Sequence, residues 1–160
     1  MGIGKSKSTT VACAIAILWC SLQSSDALER NAGIWRVLRA GHFSGPMNDG
    51  AHVRAIKGSI DSQGKQYKFW EYEWENKKTG HGGNALLVFE QTRNGLSYMG
   101  SYEVAGDDFR GPVHPEIRGK TVFYPYHDIE IMGVKQSMAI SFENGPPPTT
   151  VPGGVSRFLK

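Results

Sequence analysis

The stretch Tyr67-Lys68-Phe69-Trp70-Glu71-Tyr72-Glu73-Trp74-Glu75 decides the fold class. Tyr67, Phe69, Glu71, Glu73 and Glu75 share one parity, and Lys68, Trp70, Tyr72 and Trp74 share the other. A repeat of two is the signature of a β-strand, whose successive side chains point to opposite faces. Aromatic side chains reinforce it, because they pack well on a pleated, half-buried surface. The alternation makes Trp70, Tyr72 and Trp74 the apolar face and sends Glu71, Glu73 and Glu75 to solvent.

Strand signals continue on both sides. Upstream, residues 53–60 form a strand that turns at Asp61-Ser62-Gln63-Gly64. Downstream, residues 84–92 are apolar on both faces in their middle. Asn94-Gly95 then marks a hairpin, because both residues tolerate positive φ. The next strand places Leu96, Tyr98, Gly100, Tyr102 and Val104 on one face, with Ser97, Met99, Ser101 and Glu103 on the other. Gly106-Asp107-Asp108 breaks the run. Residues 117–126 make a further strand, which Pro125 ends or confines to an edge. In residues 134–142, Val134, Gln136, Met138, Ile140 and Phe142 share a face.

Six strands joined by short turns make an antiparallel meander, since parallel crossovers need a dozen or more residues. The expected fold is mainly β: a single-domain antiparallel β-meander, closed as a small barrel or strongly curled. Gly100 and Gly119 mark bends that let the sheet curl. A short helix fits near residues 29–39. The domain spans 28–144. In the Pro- and Gly-rich tail, 145–160, the part from Gly145-Pro146-Pro147-Pro148 to Gly154 is expected as an extended polyproline-type spacer that cannot pair in a sheet and runs to residues 155–160.

Residues 1–27 read as a secretory signal peptide. Lys5 and Lys7 supply the positive start, residues 9–22 an uncharged and mostly apolar run, and Ser25-Asp26-Ala27 a small-residue cleavage site. The apolar run is shorter than the ~18 residues of a spanning helix. The alternatives are an uncleaved anchor, or a lipoprotein using Cys20. Removing Lys5, Lys7 and Asp26 from 18 basic and 15 acidic groups leaves 16 and 14, a net charge of +2. Cys13 and Cys20 leave with the same segment, so the mature chain has no cysteine and relies on its core. The roughly 133 residues that remain can bury about two-thirds of the unfolded chain's surface. The composition excludes thiol catalysis and Cys-ligated metal, and the small charge argues against nucleic acid. Asn-x-Ser/Thr sequons are absent. The expected location is export to a periplasm or the extracellular space, with no integral membrane span after processing.

Gly33-Ile34-Trp35 resembles the Gly-x-Trp opening of lipocalin-type (calycin) barrels, in which the Trp closes one barrel end. The resemblance covers three residues. It implies a barrel and gives Arg157 the role of the Arg that stacks on that Trp as a cation–π pair. Fold alone does not set function.

The aromatic alternation supplies the candidate site: Trp70, Tyr72, Trp74, His81, Tyr98 and Tyr102 as ligand-binding residues, lining a cavity or forming a platform for a sugar-like or apolar molecule. The alternative is that these aromatics are simply core. His127, Asp128 and Glu130, near a strand end, suggest a small hydrolase-like or metal-assisted enzyme, against the bland alternative of ordinary loop polarity. No nucleophile motif, catalytic constellation, metal-ligand spacing or cofactor motif stands out. The expected function is an exported binding protein rather than an enzyme, whose partner is a small ligand or an envelope protein. A structural protein without a cavity is the further alternative.

Overall fold

The structure, a computed structural model, describes residues 32–47, 50–105, 114–125, 130–131, 134–135, 137–150 and 157–160. Residues 1–27, expected as a signal peptide, Asp107-Asp108 and His127-Asp128 lie outside the described residues. The chain divides into two compact units, Met1–Arg36 and Val37–Lys160. Residues 32–40 form helix α1, so Gly33-Ile34-Trp35 is helical. Among the described residues no helix is long and apolar enough to cross a membrane.

The second unit is mainly β, with antiparallel ladders throughout. Strands β1 (Ala51–Ala55), β2 (Ile60–Ser62), β3 (Lys65–Glu75), β4 (Gly82–Thr92) and β5 (Gly95–Ala105) make one sheet in the order β1-β3-β4-β5, with β2 also paired to β3. The alternating stretch is β3, the hub of this sheet. It pairs with β1 from Ala51↔Trp74 to Ala55↔Trp70, and with β4 from Gln66↔Gln91 to Glu75↔Gly82. The expected strand over 53–60 is two pieces, interrupted where Gly58 takes φ 112°. Gln63 (φ 52°) and Gly64 (φ 71°) form the two-residue turn from β2 to β3. Positive φ at both residues matches the twist of the strands it joins.

The second sheet has the order β10-β7-β6, from β6 (Glu116–Arg118), β7 (Thr121–Tyr124) and β10 (Met138–Ser141). Strands β8 (Glu130–Ile131) and β9 (Val134–Lys135) form a separate pair. The single strand expected over 117–126 is a hairpin. Gly119 (φ 60°) reverses the chain, and Arg118 pairs with Thr121 across the turn. The strand expected over 134–142 is likewise divided, because β9 pairs back to β8 while β10 joins β7. The β4–β5 hairpin falls where Asn94-Gly95 places it, with Thr92 paired to Gly95. Only Gly95 takes positive φ there (113°); Asn94 does not. The Thr92 hydroxyl holds the tip, accepting from Asn94 N–H (3.2 Å) and donating to the Gly95 carbonyl (2.8 Å).

The core lies between these sheets. Tyr67, Phe69, Leu86, Val88 and Tyr102 from the first meet Val122, Tyr124, Met138, Ile140 and Phe142 from the second segment of the chain. Phe142 is central: its ring lies 4.8 Å from Phe69, 6.1 Å from Tyr67 and 6.3 Å from Tyr102. Burying each such side chain contributes about 1.5–3 kcal/mol. This assigns the faces of β3 differently from the sequence expectation. Tyr67 and Phe69 point into the core, and Glu71, on the same parity, goes with them and is only 3% exposed. Two aromatic residues on that parity outweigh the carboxylates that follow.

A second correction concerns β5. The register shifts between Val88↔Gly100 and Phe89↔Tyr98, leaving Met99 as an extra residue. A bulge inverts the alternation beyond it. Tyr98 therefore shares the Trp70 face, whereas Tyr102 enters the core with Phe142.

The tail is not a free spacer. Tyr102 donates its hydroxyl proton to the Pro147 carbonyl (2.6 Å), and Gly145 N–H donates to Ser62 Oγ (3.1 Å). Thr149 bridges Arg157, and Leu159 bridges Ser101 of β5, both antiparallel. Proline bars its own nitrogen from a ladder, but its carbonyl still accepts.

Candidate functional site

The face opposite the core carries Trp70, Tyr72 and Trp74, and the end of α1 determines how much of it is covered. Phe43 N–H donates to the Leu38 carbonyl (3.0 Å) and His42 N–H to the Arg39 carbonyl (3.2 Å). These two bonds, with His42 at φ 60°, make a Schellman cap. The residue inside it is Gly41, where a Cβ would lie 2.7 Å from Tyr98 Cβ. The cap delivers Phe43 onto the sheet, edge-on to Tyr72 (4.9 Å) and Tyr98 (5.7 Å). Phe89 continues the contact from Tyr98 (5.6 Å) to Trp70 (4.8 Å). All four contacts have the edge-to-face geometry that aligns a ring's positive edge with a neighbour's negative face.

Tyr72 and Tyr98 are thus buried, and burial pushes both hydroxyls above the ordinary tyrosine range, with a hydrogen bond to Ser101 opposing the shift at Tyr98. Tyr72 keeps a partner by donating to the Pro46 carbonyl (2.6 Å). Burial also raises the Tyr102 hydroxyl, on the core side of the sheet. Trp70 and Trp74 remain half-buried and His81 is exposed.

The ladder gives the two indoles different neighbours. Trp70 stands between Ala55 and Leu87, Tyr72 between Val53 and Ala85, and Trp74 between Ala51 and Gly83. Cross-strand neighbours are the main packing partners on a sheet face. At Trp74 they shrink to a methyl group and a hydrogen. At the adjacent Gly82 a Cβ would sit 2.6 Å from the Trp74 carbonyl oxygen, so the backbone there must stay bare. His81 belongs to the same turn: its carbonyl accepts from Asn76 N–H (2.7 Å) and its N–H donates to Thr79 Oγ1 (3.3 Å). Of the six expected ligand residues, Trp70, Tyr72, Trp74 and Tyr98 share this face, His81 lies beyond the end of β3, and Tyr102 is on the opposite side.

A second polar feature lies at one end of the core. Glu71 pairs with Arg54 of β1, its direct ladder neighbour. Arg54 is half-exposed, so the ion pair runs from the rim inward. Asn84 (2% exposed) is on the same face of β4, and Tyr124 of the second sheet is fully buried. Desolvation, then the Glu71 charge, holds the Tyr124 hydroxyl well above its usual range. Burying a carboxylate is costly unless it is paired, and Arg54 supplies the pair. Here β3 sacrifices apolar packing for a polar seam.

The alternative constellation is not assembled among the described residues. Glu130 lies in β8, while His127 and Asp128 lie outside the described residues. No group of three or more His, Cys, Asp or Glu that could hold a metal occurs among the described residues. Comparison with protein-family models, curated proteins and solved structures finds no match. The sequence reasoning missed Glu71 and Phe43. Tyr67 and Phe69 on the parity of Glu71 were the available signal for the first. Nothing local marks Phe43, whose role depends on where α1 ends.

Proposed function

We propose that the protein is an exported, non-enzymatic binding protein that holds a ring-shaped ligand, sugar-like or apolar, against the indole of Trp74. The observation that carries this reading is the half-buried Trp74, whose cross-strand neighbours are only Ala51 and Gly83, at the end of the aromatic row beyond the buried Tyr72. A flat apolar ring stacks on such an indole, and His81 beyond it offers a polar rim. Export is part of the proposal and rests on the charge, length and small-residue pattern of residues 1–27. So is the barrel-like or strongly curled form of the β-fold. Support for a curl comes from the two register shifts in the β4–β5 ladder and from Gly100, since bulges bend and twist a sheet.

Trp74→Ala is the test. Intrinsic fluorescence would be titrated with hexameric chito- and malto-oligosaccharides and with an anilinonaphthalene dye. The expected result is a saturable change with one of these probes that Trp74→Ala abolishes, at a stability cost of about 1 kcal/mol or less. No saturable response in the wild type, together with a loss of about 3–5 kcal/mol in the variant, would assign Trp74 to the core and leave a structural protein.

A further inference from the structure

At its outer edge, β5 carries a seat for an extended segment. Ser101 donates its N–H to the Leu159 carbonyl (2.8 Å) and accepts from Leu159 N–H (2.9 Å). These reciprocal bonds are those of an antiparallel ladder. Beside them Gly100 leaves a notch. A Cβ there would lie 2.5 Å from the Leu159 carbonyl oxygen and 2.6 Å from Phe158 Cζ. The Phe158 ring fills the notch and packs on Tyr102, with centroids 4.9 Å apart. The proline segment forms the far wall. Phe158 N–H donates to the Pro148 carbonyl (3.0 Å), and the Pro147 carbonyl is fixed by the Tyr102 hydroxyl (2.6 Å).

What sits in this seat holds it lightly. The occupant meets β5 at one bridge and inserts one ring, and Leu159 is 55% exposed. Leu159 is the exposed large hydrophobic side chain among the described residues, so this short strand keeps an apolar surface in water. The seat is specific nevertheless. The ladder fixes direction, and the Gly100 notch over Tyr102 selects an aromatic side chain. Strand addition of this kind draws affinity from main-chain bonds and selectivity from a side-chain pocket.

We propose that the β5 edge at Gly100–Tyr102 is a docking groove for an extended peptide segment of a partner protein that carries an aromatic residue, and that Phe158-Leu159 is its resident, exchangeable occupant. The resident is tethered, so it competes at an effective concentration on the order of millimolar. A free peptide gains access when the resident's ring is removed.

Fluorescence polarisation of a labelled Ser-Arg-Phe-Leu-Lys peptide against the full chain tests this. Phe158→Ala is expected to bind it at least about tenfold more tightly than the wild type, following the loss of tethered competition. Replacing Phe by Ala in the peptide, or adding Gly100→Val to the protein, should abolish binding. If Phe158→Ala does not fold, Phe158→Leu takes its place, since it removes the aromatic ring but keeps an apolar side chain against Tyr102. A folded variant that binds no peptide overturns the proposal. So does failure of both variants to fold, which would make the segment an integral part of the core. Wild-type dimers by light scattering without peptide binding would instead give the groove to a second copy and overturn the partner reading.

Discussion

Replacing Phe142 by Ala tests whether the two sheets share one core. Its side chain is fully buried and meets Phe69, Tyr67 and Tyr102 through their rings. Truncating such a Phe costs about 3–5 kcal/mol, the lost transfer free energy plus the cavity left behind. Domains of this size are stable by about 5–15 kcal/mol, so the variant should still fold, with a much reduced margin. With a urea slope of about 1–3 kcal/mol per molar, the midpoint should fall by about 2 M. Phe123 is the internal control. It lies on the other face of β7, half-buried, under the Arg118 guanidinium at 3.8 Å from the ring centroid. An exposed cation–π contact contributes about 0.5–1 kcal/mol, so Phe123→Ala should cost far less than Phe142→Ala. Urea unfolding followed by circular dichroism and by tryptophan emission measures both. A Phe69→Leu/Phe142→Leu cycle should add a coupling of about 0.5–1.5 kcal/mol. Equal, small losses for Phe142→Ala and Phe123→Ala would mean that the β10-β7-β6 sheet does not pack on β3, and the core assignment would fail.

Other outcomes follow from the same structure. Tyr72, Tyr98, Tyr102 and Tyr124 hold their protons above the ordinary tyrosine range, chiefly through burial. Folded pKa values above the unfolded one mean stability is intact below about pH 10 and falls as pH rises towards the folded values, by up to about 1.4 kcal/mol per pH unit for each tyrosine. Tyrosinate absorbance should therefore rise together with alkaline unfolding; a gradual rise near pH 10 in a folded protein would contradict the burial. Gly95→Val should lower stability by about 1–2 kcal/mol through backbone strain alone, since φ is 113° and a Cβ there meets nothing within 4 Å. An unchanged denaturation midpoint would refute that turn geometry. The intact mass of the protein after expression in cells should correspond to a chain beginning near Leu28, whereas retention of residues 1–27 would favour a membrane anchor.

The sequence determined the class of the fold, because strand periodicity and turn chemistry are local. The alternation in β3 and the Asn94-Gly95 turn both survive into the structure, since each depends on residues within a few positions of one another. Turn type was less secure: Gly119 looks the same in sequence whether it bends a strand or reverses it, and only the pairing of Arg118 with Thr121 decides. What the faces of a strand bury was not local at all. Glu71 is inside because Phe142, far along the chain, needs the Tyr67/Phe69 side. Tyr98 and Tyr102 are parted because one extra residue, Met99, opposite β4 reverses the alternation between them. The aromatic row is buried at Tyr72 because Phe43 arrives from a helix cap, while Trp74 stays half-buried between Ala51 and Gly83, which come from two other strands. A single strand can specify its own alternation, but which side faces the core is a property of everything that packs against it.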